Sequence, residues 1–247
     1  MAGTALRGRL TWQAARVASL IRETASVCTI GLEPRDWAGH RAGQHLDVRL
    51  TAEDGYRAER SYSIASAPGE QLAITVERLE DGEVSPYLTE ELQVGDELEL
   101  RGPIGGYFVW EPGENSPLTL LAGGSGIVPL RSILRDRLRT GSDVPARLLY
   151  SSRTLPDVIY RDELGQQHDG VQVSYTLTRD QPPGWTGHTG RINADLLAEA
   201  AWPAAADPVA YVCGPTSFVE TAAAALVGLG YPPGRVKTER FGATGGP

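Results

Sequence analysis

The chain of 247 residues has few of the residues that hold metals or staple a fold covalently. Its two cysteines, Cys28 and Cys213, lie 185 positions apart. Two thiolates cannot ligate an iron–sulfur cluster or a Cys-rich zinc. A disulfide between them is geometrically open but disfavoured in a reducing compartment. The four histidines, His40, His45, His168 and His188, show no metal-ligand spacing, and each reads as a surface or loop residue. Positive charge is also short: 23 Lys+Arg against 31 Asp+Glu leave a net charge of −8. That argues against nucleic acid, whose binders carry a basic footprint. Lys237 is the one lysine, a bias that by itself implies no function. Long apolar runs are missing too. The charge-free stretch Asn115–Leu130, the longest in the chain, is too short and too glycine-rich to span a bilayer. The N-terminal MAGTALRGRLTWQAAR has no signal-peptide core. The expectation is a cytoplasmic protein with no membrane span.

What is present is an ordinary globular balance, 41% hydrophobic and 22% charged. The periodicity changes part-way along. LTWQAARVASLI, VCTIGLEP, QHLDVRL, RSYSIAS, LAITVERL and DELELRG are short runs with partial alternation, separated by turn signals such as AEDGY and QVGDE. Six such strands predict a small antiparallel barrel or sandwich. One helical insertion is expected, with Ser85 as cap, Pro86 in the first helical position and YLTEEL following. After EPGENSP, strand and helix patterns alternate four times and close on RVKTERF. That order predicts a parallel sheet with helices on both faces, whose ligands bind at the carboxyl ends of the strands. The fold class is therefore β followed by α/β: a six-stranded antiparallel barrel over residues 1–112, then a Rossmann-like parallel-sheet domain over 113–247.

The most informative string is Arg60-Ser61-Tyr62-Ser63, at the end of a barrel strand, followed by Gly82-Glu83-Val84-Ser85 at the start of the inserted helix. An arginine can grip a phosphate bidentately. A tyrosine offers a flat face and a hydroxyl. Small residues at a helix start leave N–H groups for further phosphate oxygens. Together they describe a site for a ligand with a flat ring at one end and a pyrophosphate at the other.

RSYSIAS, GEVSPYL, GPIGGYF, LLAGGSGIVPLRSIL, YVCGP and ERFG stand in the order found in the ferredoxin–NADP reductase superfamily of flavoenzymes, which the chain resembles from about Leu10 to Gly242. The resemblance implies a flavin-binding barrel and a nicotinamide nucleotide domain. It implies that Arg60 holds the flavin pyrophosphate, Tyr62 packs on the isoalloxazine, and the Ser63 hydroxyl reaches its N5. It also implies that Gly82, Val84 and Ser85 cradle the phosphates. Gly124-Ser125-Gly126-Ile127-Val128-Pro129 departs from the common GxGxxG fingerprint. In this superfamily the GxGxxP form holds the pyrophosphate of the nicotinamide dinucleotide. The same resemblance puts Cys213, with Gly214 and Pro215, beside the nicotinamide C4, where the thiol shapes the pocket. Glu239 matches a carboxylate that can relay a proton near the serine. Phe241 matches the aromatic that covers the other flavin face, a place that the GATGGP tail contests.

An NAD site commonly puts an acidic residue at the end of the second strand. Here that strand ends in Ser151, Ser152, Arg153 and Thr154, the third ends in Thr178 and Arg179, and Arg191 follows in TGRI. The resemblance puts all three arginines where NADP-using relatives hold the 2′-phosphate, a dianion that suits such a cluster. The other reading makes Arg153 and Arg191 solvated loop charges, since NADH-using relatives also carry a GR pair near the second. FAD and NADP are the expected cofactors, with FMN and NADH as the alternatives, and no metal is expected. The implied reaction is hydride transfer from NADPH to FAD, with electrons passed on to a separate ferredoxin, flavodoxin or oxygenase component. The alternatives are a free-flavin or quinone reductase on the same fold and a non-catalytic nucleotide-binding module. Arg131, Arg135 and Arg139, at i, i+4 and i+8, form a helix face open to two readings, a solvated row or a dock for an acidic electron carrier.

Overall fold

The computed structural model describes residues 10–166 and 169–241. Six strands, β1 (Gln13–Thr24), β2 (Val27–Pro34), β3 (His45–Thr51), β4 (Arg57–Ser63), β5 (Ala73–Glu77) and β6 (Glu97–Ile104), form one antiparallel sheet in the order β4-β3-β6-β1-β2-β5. Its two edges meet at an Ile64–Ile74 bridge, which curls the sheet towards closure. The alternation seen in the sequence is what fills it: Val17, Ile30, Leu46, Val48, Ile74, Val76 and Leu100 point into one core. Closing the sheet on that core removes apolar surface from water and hides the strand edges.

The second half is a parallel sheet. Strands β7 (Leu118–Gly123), β8 (Ala146–Ser152), β9 (Val171–Leu177), β10 (His188–Thr189), β11 (Val209–Pro215) and β12 (Val236–Phe241) lie in the order β10-β9-β8-β7-β11-β12. Helices α1 (Ile127–Arg139), α3 (Ala194–Ala200) and α4 (Thr216–Gly228) cover its faces. Strands β7 and β11 are buried along nearly their whole length, as expected for a sheet covered on both sides. The first strand–helix order reverses between β7 and β11, so the carboxyl ends of these two central strands form the topological switch point.

Four details differ from the expectation. The second crossover has only a one-turn helix, α2 (Arg161–Leu164), cut off at Gly165. Strand β10 is a two-residue addition, too short to leave any period in the sequence. The insertion after β5 is a five-residue π-helical turn, Tyr87–Glu91, with no side-chain cap. Ser85 does not cap it, because its Oγ accepts the Leu79 N–H at 3.0 Å and closes the preceding turn instead.

The two sheets share a built seam. Val27, Ala42, Ala65, Phe108 and Trp110 join the core beneath β7, β8 and β11. Polar groups cross it as well. Ser132 donates to the Ser66 carbonyl at 2.7 Å, the Tyr160 hydroxyl meets Thr75, and Tyr107 donates to the Val236 carbonyl at 3.2 Å. The arginine row belongs to this seam, which corrects the docking-face reading. Arg131 is 9% exposed, pairs with Glu163 at 2.8 Å and lies over the Tyr160 ring. Arg135 bridges Glu163 and Glu70. Burial alone would raise the Glu163 carboxyl, but the two guanidinium groups overcome it and hold it below the usual range. Arg139 alone of the row is exposed.

Candidate functional site

The sequence motifs converge where the end of β4 faces the ends of β11 and β12. Ser63 is the last residue of β4, and its partner across the hairpin is His45, the first of β3. His45 Nδ1 lies 3.8 Å from Glu239 Oε1 on β12. Glu239 in turn stands opposite Cys213 in the β11–β12 register, and Phe241 opposite Pro215. Four expected residues, Ser63, Cys213, Glu239 and Phe241, are thus brought to one end of the seam, with His45 as the link between them. Phe241 is half-buried against the core of the parallel sheet. The GATGGP tail that contests its place lies outside the described residues, as does His168.

His45 corrects the surface reading of the histidines, and so does His40, which is 9% exposed with Nε2 3.0 Å from the Ser66 carbonyl. The signal for His45 was in the sequence. Counting outwards from the AEDGY turn pairs Thr51 with Arg57 and, six steps on, His45 with Ser63. Gln44 pins the approach, accepting the Arg41 N–H and donating to the Gly105 carbonyl at 2.7 Å.

Burial pushes the Glu239 carboxyl up to about 7, and its Oε2 is a buried atom without a partner among the described residues. Burial also lowers His45 below the usual imidazole value, against an opposing pull from Asp47. At neutral pH the pair is a neutral imidazole beside a carboxyl poised to take or give a proton, the condition for acid–base exchange. The Cys213 thiol, 1% exposed, is raised well above its ordinary value by burial and then by Glu239. It stays a thiol, which fits a shaping role and not a nucleophile.

The loop after β7 is set by close backbone packing. A Cβ on Gly126 would lie 2.1 Å from the Cys213 carbonyl oxygen, so only glycine lets the start of α1 approach the end of β11. Gly124 takes φ +55°, a left-handed conformation that favours glycine. Pro129 is the third residue of α1, still within the first turn, where its missing N–H costs nothing. Gly214 packs on Gly123 and the Phe218 ring. From the other sheet Glu77, the last residue of β5, accepts the Ser125 hydroxyl at 2.7 Å. This contact had no sequence signal.

On the barrel side, Tyr62 shares a strand face with Ala58 and Arg60, is half-buried against the barrel core, and has its phenol pushed up by burial. Arg60 is exposed and already paired: Nη2 donates to Glu83 Oε2 at 2.7 Å and Nη1 to the Glu59 carbonyl at 2.8 Å. The Glu83 carboxyl is held below its usual range by the Tyr56 hydroxyl and then by Arg60. A Cβ on Gly82 would lie 2.8 Å from Ser85 Oγ and 3.0 Å from the Leu79 carbonyl oxygen. Val84 is fully buried, so its side chain belongs to the core and only its backbone is left for a ligand.

At the far edge, Thr178 N–H donates to the Ser152 carbonyl and Arg179 N–H to the Arg153 carbonyl, both at 2.9 Å. Gly190 N–H reaches the Leu177 carbonyl, bringing Arg191 to the same edge. Arg153, Arg179 and Arg191 are exposed, and none is ion-paired among the described residues. Three free guanidinium groups and a backbone-tight glycine loop along one row of strand ends fit a phosphorylated dinucleotide. No group of three metal-ligating side chains occurs among the described residues, and no helix there is long and apolar enough to cross a membrane.

Residues 18–109 match the oxidoreductase FAD-binding domain, and residues 120–224 match the oxidoreductase NAD-binding domain. Ferredoxin–NADP reductase B of Sorangium cellulosum is 36% identical over 211 residues, covering 81% of this chain and 84% of that protein. The chain belongs to the ferredoxin–NADP reductase family. As a member it is an oxidoreductase with an FAD-binding and an NAD-binding domain. NADH-cytochrome b5 reductase 1 of Aspergillus terreus is 33% identical over 211 residues, 80% of this chain and 70% of that protein. Among solved structures, the flavohem-like FAD/NAD-binding domain of nitric oxide dioxygenase from Vibrio cholerae O1 biovar El Tor superposes with a TM-score of 0.83. It is 26% identical and covers 93% of this chain and 98% of that one.

Proposed function

We propose that this family member transfers hydride from NADPH to FAD held by residues 1–112 and passes the electrons to a separate protein acceptor. The observation that carries the reading is the meeting of His45, partner of Ser63, with Glu239 beside Cys213. It joins a barrel motif and a parallel-sheet motif at one point on the seam. Bound flavin supplies the chemistry of accepting hydride and releasing electrons singly.

The chain's residues do the rest. Arg60, with the backbone of Gly82, Val84 and Ser85, grips the flavin phosphates, and Tyr62 supplies a flat face. Ser63 would offer a hydroxyl to the flavin, and Glu239, with His45 3.8 Å away, would supply or remove a proton. Gly124, Gly126 and Pro129 admit the dinucleotide pyrophosphate. Cys213, Gly214 and Pro215 would bound the nicotinamide pocket, and Phe241 would cover the other flavin face. Ser152, Arg153, Thr178, Arg179 and Arg191 receive the 2′-phosphate. The relatives named for ferredoxin and for cytochrome b5 support an electron-carrier acceptor.

Anaerobic mixing with NADPH and NADH in parallel tests the reading. Bleaching of the flavin absorbance, faster with NADPH, is expected. No bleaching with either would leave a non-catalytic nucleotide module. Ser63→Ala should slow that bleaching while the flavin stays bound.

A further inference from the structure

We propose that Glu83 competes with the flavin phosphate for Arg60, so that this protein holds its flavin exchangeably; the proposal rests on Arg60 being the flavin phosphate's grip. A guanidinium holds phosphate through a pair of parallel N–H groups. In Arg60 both terminal nitrogens are engaged, Nη2 by the Glu83 carboxylate at 2.7 Å and Nη1 by the Glu59 carbonyl at 2.8 Å. Glu83 lies inside the Gly82–Ser85 loop itself, so carboxylate and phosphate address the same guanidinium from the same loop.

The carboxylate is held from a second side. Its Oε1 accepts the Tyr56 hydroxyl at 2.9 Å, and the Tyr56 N–H is fixed by Asp54 at 2.9 Å. When a phosphate displaces Glu83 from Arg60, the Tyr56 bond remains, and the negative charge stays beside the phosphate. Arg60 and Glu83 are both about half exposed, with side-chain accessibilities of 49% and 50%. Such a pair is weak enough to yield to a doubly charged ligand, and its influence is screened by salt. The outcome is a flavin site that is filled but lowered in affinity.

The test is a titration of the deflavinated full chain with FAD, FMN and riboflavin, following flavin fluorescence, for wild type and Glu83→Gln. Glu83→Gln removes the charge, and the position is exposed, so folding is not at stake. The dissociation constants for FAD and FMN are expected to fall by about three- to tenfold at low salt, and the gap to close towards about 1 M salt. Riboflavin, which has no phosphate, should bind both proteins alike. In an Arg60→Ala background the Glu83 substitution should improve FAD binding less than in the intact site, since competition for the guanidinium is gone and only the direct repulsion of the phosphate remains. An unchanged or weakened FAD constant in Glu83→Gln, or an equal gain for riboflavin, overturns the proposal while leaving the flavin site intact. Failure of wild type and variant to bind any of the three flavins would overturn the flavin reading, and the role of Glu83 with it.

Discussion

Gly82 and Gly126 each stand in a loop read as a phosphate site, yet different atoms crowd them. A Cβ on Gly126 would run into the Cys213 carbonyl and the Gly214 N–H, which belong to the middle of the parallel sheet. A Cβ on Gly82 would meet the Ser85 hydroxyl and the carbonyl of the adjoining Leu79 turn. The loop proposed for the nicotinamide dinucleotide is thus formed by backbone packed on backbone. In the loop proposed for the flavin phosphates, the proposed grip is Arg60, an exposed side chain whose partner is another exposed side chain. One loop is set by a backbone approach that leaves no room for a Cβ, and the other by side chains whose donors are shared.

Substituting both glycines is the strongest way to break that comparison. Gly126→Ala should destabilise the protein by about 3 kcal/mol, the upper end for overpacking a well-filled interior, and should raise the KM for the dinucleotide more than tenfold. Gly82→Ala should cost about 1 kcal/mol, since the Ser85 hydroxyl can turn and Leu79 lies in a surface turn. Urea unfolding and steady-state kinetics measure both. Equal losses would mean that the two loops are equally rigid.

A second contrast concerns charge. The Glu83 carboxyl is lowered by its partners, whereas Glu239 is raised to about 7 by burial from an ordinary value of 4.5. A carboxyl raised on folding favours the protonated native state. Its contribution is complete below the unfolded value and is lost as pH rises through about 7. Glu239→Gln mimics the neutral form at every pH. The variant should therefore match wild type near pH 4.5 and be more stable by about 2–3 kcal/mol near pH 8. Denaturation midpoints at the two pH values decide it. A gap that does not open with pH would show that Glu239 ionises like a solvated carboxylate.

The sequence was clearest where a single local rule governs the outcome. Six alternating segments became six strands, and the strand–helix rhythm became a parallel sheet. It was less clear where distant residues compete for one group. Ser85 has the chemistry of a cap, but the Leu79 N–H offered a nearer donor. Arg131 and Arg135 do share a helix face, yet Glu163 and Glu70, far along the chain, turn that face into an internal seam. His45 lacks metal spacing, and its meeting with Glu239 depends on how two sheets pack. Residue type and spacing therefore read well for backbone-determined features such as Gly126, and poorly for charged side chains whose partners are set by tertiary structure.

The smallest expected effect bears on the outer end of the nicotinamide side, where backbone gives way to side chains again. Arg153 and Arg179 are held next to each other by the continued pairing of β8 and β9, and Arg191 joins them beyond β10. A 2′-phosphate carries two charges that NADH lacks, and removing one of three guanidinium groups leaves two to share it. Arg179→Ala should then raise the KM for NADPH about tenfold, equivalent to about 1.4 kcal/mol, and leave that for NADH nearly unchanged. Parallel KM measurements with the two donors read this directly. The ratio matters more than either value, because a general disturbance of the strand ends would weaken both donors together. Equal shifts, or none, would remove the 2′-phosphate assignment, while a selective loss would extend the adjustable, side-chain mode of phosphate binding to both ends of the site.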